Sequence, residues 1–278
     1  MQARDLIQRI SEEFKKAEIP TPLLDAEIIV AHVTGVDRYK LITVPDSVVS
    51  GSSLRMIDDL TGRRLRGEPV AYLIGRKEFY SLDFIVDNRV LIPRPETELL
   101  VDLAIYYAPR DGTVLDIGTG SGAIAVAVKH NRSDLSVTAT DLSGEALEVA
   151  SANVSRLLGA GTVDLRQGDL FAPVQDMLFD VILSNPPYIG HRERNDLQKE
   201  VLNEPEIALF ADDDGTAVIK RIILEAGKHL KEGGAAILEI GDSMKEFVHN
   251  FGRAAGFGVS VMNDYAGFAR VAVFKGDH

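Results

Sequence analysis

The sequence predicts an α/β fold: a mostly parallel seven-stranded sheet, preceded by a small helical domain that a β-hairpin joins to it. Three observations lead there. From about Thr113 onward, strand-like apolar runs alternate with helical ones, the pattern of an open parallel sheet. Residues 1–75 carry helical spacing and no strand pattern. A glycine-rich turn, Asp116-Ile117-Gly118-Thr119-Gly120-Ser121-Gly122, follows the first strand of the alternating part and opens an apolar helix from Ala123 to Val128. The domains are read as 1–75, helical; 76–93, the hairpin linker; and 94–278, the sheet domain.

In the helical part, Leu6, Ile7, Ile10 and Phe14 share one helix face. Leu23, Leu24, Ile28, Ile29 and Val33 do so again, in a segment opened by Thr21-Pro22 and closed at Gly35. Leu54, Ile57, Leu60 and Leu65 give a third stripe. Core packing explains nearly all of these positions.

Residues 78–86 then read as a strand, Asp87-Asn88 as the turn, and Val90-Leu91-Ile92 as the returning strand of the hairpin. Pro93-Arg94-Pro95-Glu96-Thr97-Glu98 leads into a helix whose positive N-terminal end suits Glu96 and Glu98. The sheet strands are centred on 114–117, 137–140, 163–165, 181–183, 236–240, 259–262 and 271–274, with a helix from Glu145 to Leu158 among the connections.

Composition narrows the function. Hydrophobic residues at 45% and charged residues at 26% fit a folded globular chain. No apolar run is long enough for a membrane span, and the N-terminus, Met1-Gln2-Ala3-Arg4-Asp5, lacks the apolar core of a signal peptide, so a cytoplasmic protein is expected. Cysteine is absent and the six histidines are scattered, so no metal site is expected. The net charge is −12, from 30 basic and 42 acidic residues. Residues 1–75 hold 10 basic and 11 acidic residues and the remainder 20 and 31, so the acidity sits in the sheet domain. An enzyme of duplex DNA needs a basic face for phosphates. The acidic domain therefore favours a protein substrate.

The glycine turn lets a ligand approach the backbone closely, with helix N–H groups aimed at it. Gly118, Thr119, Gly120, Ser121 and Gly122 are the candidate cofactor cradle. Asp141 ends the second strand, where an acid can accept both ribose hydroxyls of an adenosine, although it could also cap the helix that begins near Ser143. Gly168-Asp169-Leu170 follows the third strand; Asp169 is a candidate acceptor for an adenine amino group and Leu170 a cover for the ring, though Gly-Asp is also an ordinary turn.

Asn185-Pro186-Pro187-Tyr188 follows the fourth strand and would face the same crevice. The prolines fix φ and push Asn185 toward extended backbone, which makes the turn stiff. The Asn185 side-chain oxygen and the Pro186 carbonyl can then serve as two fixed acceptors. A primary amide or an aromatic amine offers two coplanar N–H donors, and Tyr188 can stack on that plane. This combination points to an S-adenosylmethionine-dependent methyltransferase acting on a planar nitrogen. It needs no catalytic histidine; His191, the nearest, reads as a loop surface residue. The motif alone leaves amide and adenine substrates equal.

The whole pattern resembles the PrmC/HemK protein-(glutamine-N5) methyltransferases. Asp25-Ala26-Glu27, Ala31 to Gly35, Gly67 to Leu73, Gly75, Glu78-Phe79, Ile92 to Glu98, the glycine turn, Asn185 to Tyr188 and Leu238-Glu239-Ile240-Gly241 carry the likeness, and residues 67–98 are its specific part. The resemblance implies a Rossmann-like class I S-adenosylmethionine methyltransferase fold for 94–278. It implies that the substrate is the Gly-Gly-Gln glutamine of class 1 peptide chain release factors. It implies cofactor contacts from Gly118 to Gly122, Asp141, Asp169, Leu170 and Asn185, glutamine contacts from Asn185 to Tyr188, and a docking role for 1–75. A monomer is expected, and the acidic sheet domain argues against a DNA partner. Some family members carry Trp where Leu170 aligns. The alternatives are a sister enzyme acting on a ribosomal protein, an adenine-N6 methyltransferase, and a non-catalytic cofactor-binding scaffold.

Overall fold

The computed structural model describes residues 2–43, 48–212 and 214–276. The chain divides into two units. One is built from the chain up to Arg76 together with Gln198–Asn203; the other from Lys77–Leu197 and the chain from Glu204 onward.

The first unit is helical: α1 (Ala3–Lys16), α2 (Pro22–Thr34), α3 (Arg38–Thr43), α4 (Gly51–Leu65) and α5 (Val70–Ile74). The α1 stripe read from the sequence forms the core, with Leu6, Ile10 and Phe14 fully buried against Ile29, Val30 and Ile57. Each such side chain contributes about 1.5–3 kcal/mol by leaving water. Gly35 closes α2 with φ +67, a left-handed cap that glycine adopts without strain. Leu23 and Leu24 depart from the expectation and are exposed; Ala26, Ile29 and Val30 form the inner face of α2. That helix is apolar on most sides, so spacing alone could not orient it. Its buried Asp25 pairs with buried Arg64 at 2.7 Å, and Arg64 also reaches Glu200 at 2.5 Å, which ties residues 198–203 into this unit. Removing one partner of such a buried pair costs roughly 3–5 kcal/mol.

The second unit opens with the hairpin, β1 (Arg76–Phe79, whose first residue still belongs to the helical unit) and β2 (Leu82–Ile85). The turn is Tyr80-Ser81, both at positive φ (50° and 59°), and a two-residue loop of that kind joins antiparallel strands. The expected turn at Asp87-Asn88 exists, with Arg89 N–H on Asp87 Oδ1 at 3.0 Å, but it lies after the hairpin, and Val90 to Ile92 form no strand. Two non-glycine residues carry the real turn, so no turn chemistry marked it.

After α6 (Glu98–Tyr107) come β3 (Thr113–Ile117), α7 (Ala123–Asn131), β4 (Ser136–Asp141), α8 (Gly144–Leu157), β5 (Asp164–Gln167), β6 (Phe179–Ser184), α9 (Glu206–Leu209), α10 (Ala217–His229), β7 (Leu230–Glu239), α11 (Lys245–Ala254), β8 (Phe257–Asn263) and β9 (Ala269–Gly276). All seven expected sheet strands form one sheet, in the order β5-β4-β3-β6-β7-β9-β8. Pairing is parallel except where β9 joins β7 and β8. The chain walks outward from β3 to β5, then returns to place β6 on the other side of β3. A crevice opens at such a switch point, beyond the strand C-termini. Here Ile117 stands beside Ser184, so the turns that follow them are neighbours. No helix among the described residues is long and apolar enough to cross a membrane.

Candidate active site

A cleft lies beyond the C-terminal ends of the central strands. Gly118, Gly120, Asp141, Leu142, Asp169, Leu170, Asn185 and Pro187 line it. The glycine turn and the Asn-Pro-Pro-Tyr turn therefore meet in one site.

Gly118 and Gly120 have φ +70 and +55, and a Cβ built on either would meet nothing within 4 Å. The backbone is bare where a ligand can come close. Thr119, Ser121 and Gly122 do not line the cleft; they hold its shape. Thr119 N–H and Gly118 N–H both donate to Thr140 O, at 3.0 and 2.8 Å. Ser121 O accepts from buried Asn153, whose amide also bonds both backbone groups of Ile85. Gly122 has φ +79 and packs against Ala150, where a Cβ would sit 3.2 Å from the alanine methyl.

Asp141 is not the cap of α8. Its Oδ2 accepts from Gly120 N–H at 2.8 Å and its Oδ1 from Ser143 N–H at 2.9 Å, while Ser143 itself caps α8. Each oxygen keeps a free lone pair, and the carboxylate borders the cleft. Burial pushes its carboxyl above the usual range, against the pull of those backbone donors. Asp169 is exposed and its Oδ2 takes Arg221 at 2.6 Å. Leu170 adopts φ +48, unusual for leucine, and its carbonyl accepts from Thr140 Oγ1 at 3.3 Å.

Asp116 sits beneath the turn and is fully buried. Thr119 Oγ1 donates to its Oδ2 at 2.6 Å, but Oδ1 has no hydrogen-bond partner. Burial pushes this carboxyl up to about 7.

At the other turn, Asn185 Nδ2 donates to Thr97 Oγ1 at 3.2 Å. Thr97 Oγ1 donates to Glu239 Oε2 at 2.6 Å, and Tyr188 Oη donates to Glu239 Oε1 at 3.1 Å. Thr97 and Glu239 are buried. Burial raises the Glu239 carboxyl; the two hydroxyls and the nearby Arg270 guanidinium pull the other way. Burial first, then the charge of Glu239, raise the Tyr188 phenol. Asn185 Oδ1 and the Pro186 carbonyl accept from no described group. Pro186 and Tyr188 do not line the cleft; the Tyr188 ring rests against the core, 3.6 Å from where a Cβ on Gly241 would be. His191 is exposed and stacks on Phe210 with centroids 5.2 Å apart.

Thr97, Glu239 and Asn153 were not singled out for the site by sequence reasoning. A lone acid inside the apolar strand 235–240 was the available signal for Glu239, since an unpaired carboxylate is rarely buried.

The chain resembles known proteins along most of its length. A family model described as the PrmC N-terminal domain matches residues 5–75, and one described as the methyltransferase small domain matches residues 95–213. The release factor glutamine methyltransferase of Koribacter versatilis is 39% identical over 269 residues, 95% of this chain and 92% of the relative. That of Rhodopirellula baltica is 43% identical over 243 residues, 84% of this chain and 82% of the relative. A methyltransferase structure from Pyrococcus furiosus, 22% identical, superposes with a TM-score of 0.53 over 78% of this chain and 98% of its own, and shares the fold. With both family models matched in order and relatives aligned almost end to end, the chain belongs to the release factor glutamine methyltransferase family.

Proposed function

We propose that this protein transfers a methyl group from S-adenosylmethionine to the side-chain amide nitrogen, N5, of the glutamine in the Gly-Gly-Gln motif of class 1 peptide chain release factors. The observation that carries the chemistry is the pair of unengaged acceptors, Asn185 Oδ1 and Pro186 O, on a stiff turn beside a glycine cleft. The choice of glutamine over adenine rests on family membership and the acidic sheet domain.

The cleft suits the cofactor. Gly118 and Gly120 leave room for it, Asp141 offers two carboxylate oxygens to ribose hydroxyls, and the orphaned Asp116 Oδ1 beneath the turn suits a cationic neighbour. Thr119, Ser121 and Gly122 support that cradle from behind. Leu170 and Asp169 border the base end, with Asp169 shared with Arg221. When bound, S-adenosylmethionine supplies an electrophilic methyl group on a sulfonium.

The protein's own part is alignment and charge. Asn185 Oδ1 and Pro186 O accept the two coplanar N–H groups of the glutamine amide. That nitrogen is a poor nucleophile because its lone pair is delocalised into the carbonyl. Two acceptors drawing on its hydrogens raise its electron density and favour the positive charge that develops there. Pro186 and Pro187 keep the acceptors fixed, so the amide is held in line with no reorganisation. The Tyr188 hydroxyl is engaged by Glu239, which leaves the ring face as its contribution to the amide plane. The methylated nitrogen is strongly acidic and releases its proton to solvent without a dedicated base. We assign the helical unit to docking of the release factor, and the reaction to the cytoplasm.

The test is transfer of labelled methyl from S-adenosylmethionine to three acceptors: release factor, the same factor with Gln→Ala in Gly-Gly-Gln, and duplex DNA. Label in the intact factor alone is expected. Label in DNA and none in the factor would overturn the reading.

A further inference from the structure

We propose that Thr97 and Glu239 are positioning residues that set which way the Asn185 amide faces. This rests on the proposed reaction at Asn185 and extends it to two residues that border neither substrate nor cleft.

An asparagine side chain has an oxygen and a nitrogen of nearly the same shape, so packing alone does not choose between its two orientations. Only one is useful. With Oδ1 toward the substrate, Asn185 accepts an N–H of the incoming amide. Turned over, it presents its own N–H groups to the substrate's N–H groups, and the second acceptor is lost.

The choice is made by a chain of hydrogen bonds with a fixed direction. Glu239 ends the fifth strand in chain order of the sheet, is buried, and serves as acceptor at both oxygens: Tyr188 Oη donates to Oε1 at 3.1 Å and Thr97 Oγ1 to Oε2 at 2.6 Å. A hydroxyl carries one proton, and Thr97 spends it on Glu239. Its oxygen can then only accept. The group facing it from Asn185 must therefore be the donor, Nδ2, at 3.2 Å. Oδ1 is left pointing away, unengaged, on the residue that borders the cleft. Reversing Asn185 would set two oxygens against each other in a buried spot and orphan the amide, which a low-dielectric interior penalises.

The same carboxylate holds Tyr188, so Glu239 orients both ends of the Asn-Pro-Pro-Tyr turn. This gives a physical role to two stretches singled out in the sequence, Pro93 to Glu98 and Leu238 to Gly241. They contribute one residue each to a single three-link chain.

The test compares Thr97→Ser, which keeps the hydroxyl and loses a methyl group, with Thr97→Val, which keeps the shape and loses the hydroxyl. We expect Thr97→Ser to hold kcat within about threefold of the wild type. Thr97→Val is expected to lose about 10–100-fold, mainly in kcat, with the S-adenosylmethionine Kd unchanged by calorimetry. A packing role gives the opposite order, because serine leaves a cavity and valine does not. Equal activity of the two variants, or valine above serine, overturns the proposal. If Thr97→Val does not fold, Thr97→Ala against Thr97→Ser makes the same comparison, since they differ by the hydroxyl alone. Wild-type protein that fails to label release factor strikes the substrate reading only; the same comparison is then run on duplex DNA, whose adenine amino group needs the same Asn185 orientation.

Discussion

Ser184 Oγ donates to the carbonyl of Ile117 at 2.8 Å, joining the last residues of two neighbouring strands just before their functional turns begin. One buried hydroxyl thus adds a side-chain link between the strand ends that lead into the glycine turn and the Asn-Pro-Pro-Tyr turn. Ser184→Ala leaves the Ile117 carbonyl without that donor. A loss of about 1–3 kcal/mol in denaturant unfolding is expected, together with a fall in both cofactor affinity and turnover. A change in only one of the two functions would show that this link does not serve both turns.

The buried Asp116 carries a pH signature. Its carboxyl is raised from 3.8 to about 7 by burial, so the folded form keeps its proton where the unfolded form has lost it. The folded state binds more protons over that window, and stability contributed by this group falls as pH rises from about 4 to about 7. Asp116→Asn removes the titration while an amide oxygen can still accept from Thr119. Without ligand, the variant should gain on the wild type by on the order of 1–4 kcal/mol at pH 8 and show little advantage at pH 4. Parallel stability curves for the two proteins across that range would contradict the assignment.

Asp141 is held by two backbone donors and borders the cleft. Asp141→Ala should weaken S-adenosylmethionine binding by about 10–100-fold, the loss of one or two charged hydrogen bonds. Saturating cofactor should restore most of the turnover. An unchanged dissociation constant by calorimetry would remove the ribose role.

Gly215 is distant in sequence from the substrate turn but packs directly on it. Its φ is +72, and a Cβ there would lie 2.2 Å from the Tyr188 carbonyl oxygen. Backbone must move to admit any side chain. Gly215→Ala should cost more than about 1 kcal/mol in stability and cut turnover through displacement of Tyr188, with cofactor affinity nearly intact. Wild-type turnover in a folded Gly215→Ala protein would show that the turn tolerates the shift.

The large-scale fold was legible because the sheet strands are apolar runs that glycine and acidic residues end sharply. Gly118, Gly120 and Gly122 announce a turn that needs positive φ, and all three adopt it. The hairpin position was not legible, since Tyr80 and Ser81 take left-handed backbone without the residues that favour it. Asn185 could be read from its neighbours, because the prolines after it limit what the backbone can do. Thr97 could not. It lies 88 residues from Asn185 and 142 from Glu239; the parallel pairing of β6 with β7 brings those two together, and the 3-10 turn before α6 sets Thr97 against both. Thr119 and Ser121 are read as ligand contacts from their place in the motif; the Thr119 hydroxyl donates to Asp116 and the Ser121 carbonyl accepts from Asn153.

The acceptor role of Asn185 is tested most directly by Asn185→Ala, with cofactor affinity and single-turnover methyl transfer to release factor measured on the same preparation. The dissociation constant for S-adenosylmethionine should stay within about threefold of the wild type, while the transfer rate falls by about 100–1,000-fold, the usual loss for one positioned hydrogen-bonding group. A transfer rate near that of the wild type, or a rate lost only in proportion to cofactor affinity, would contradict it.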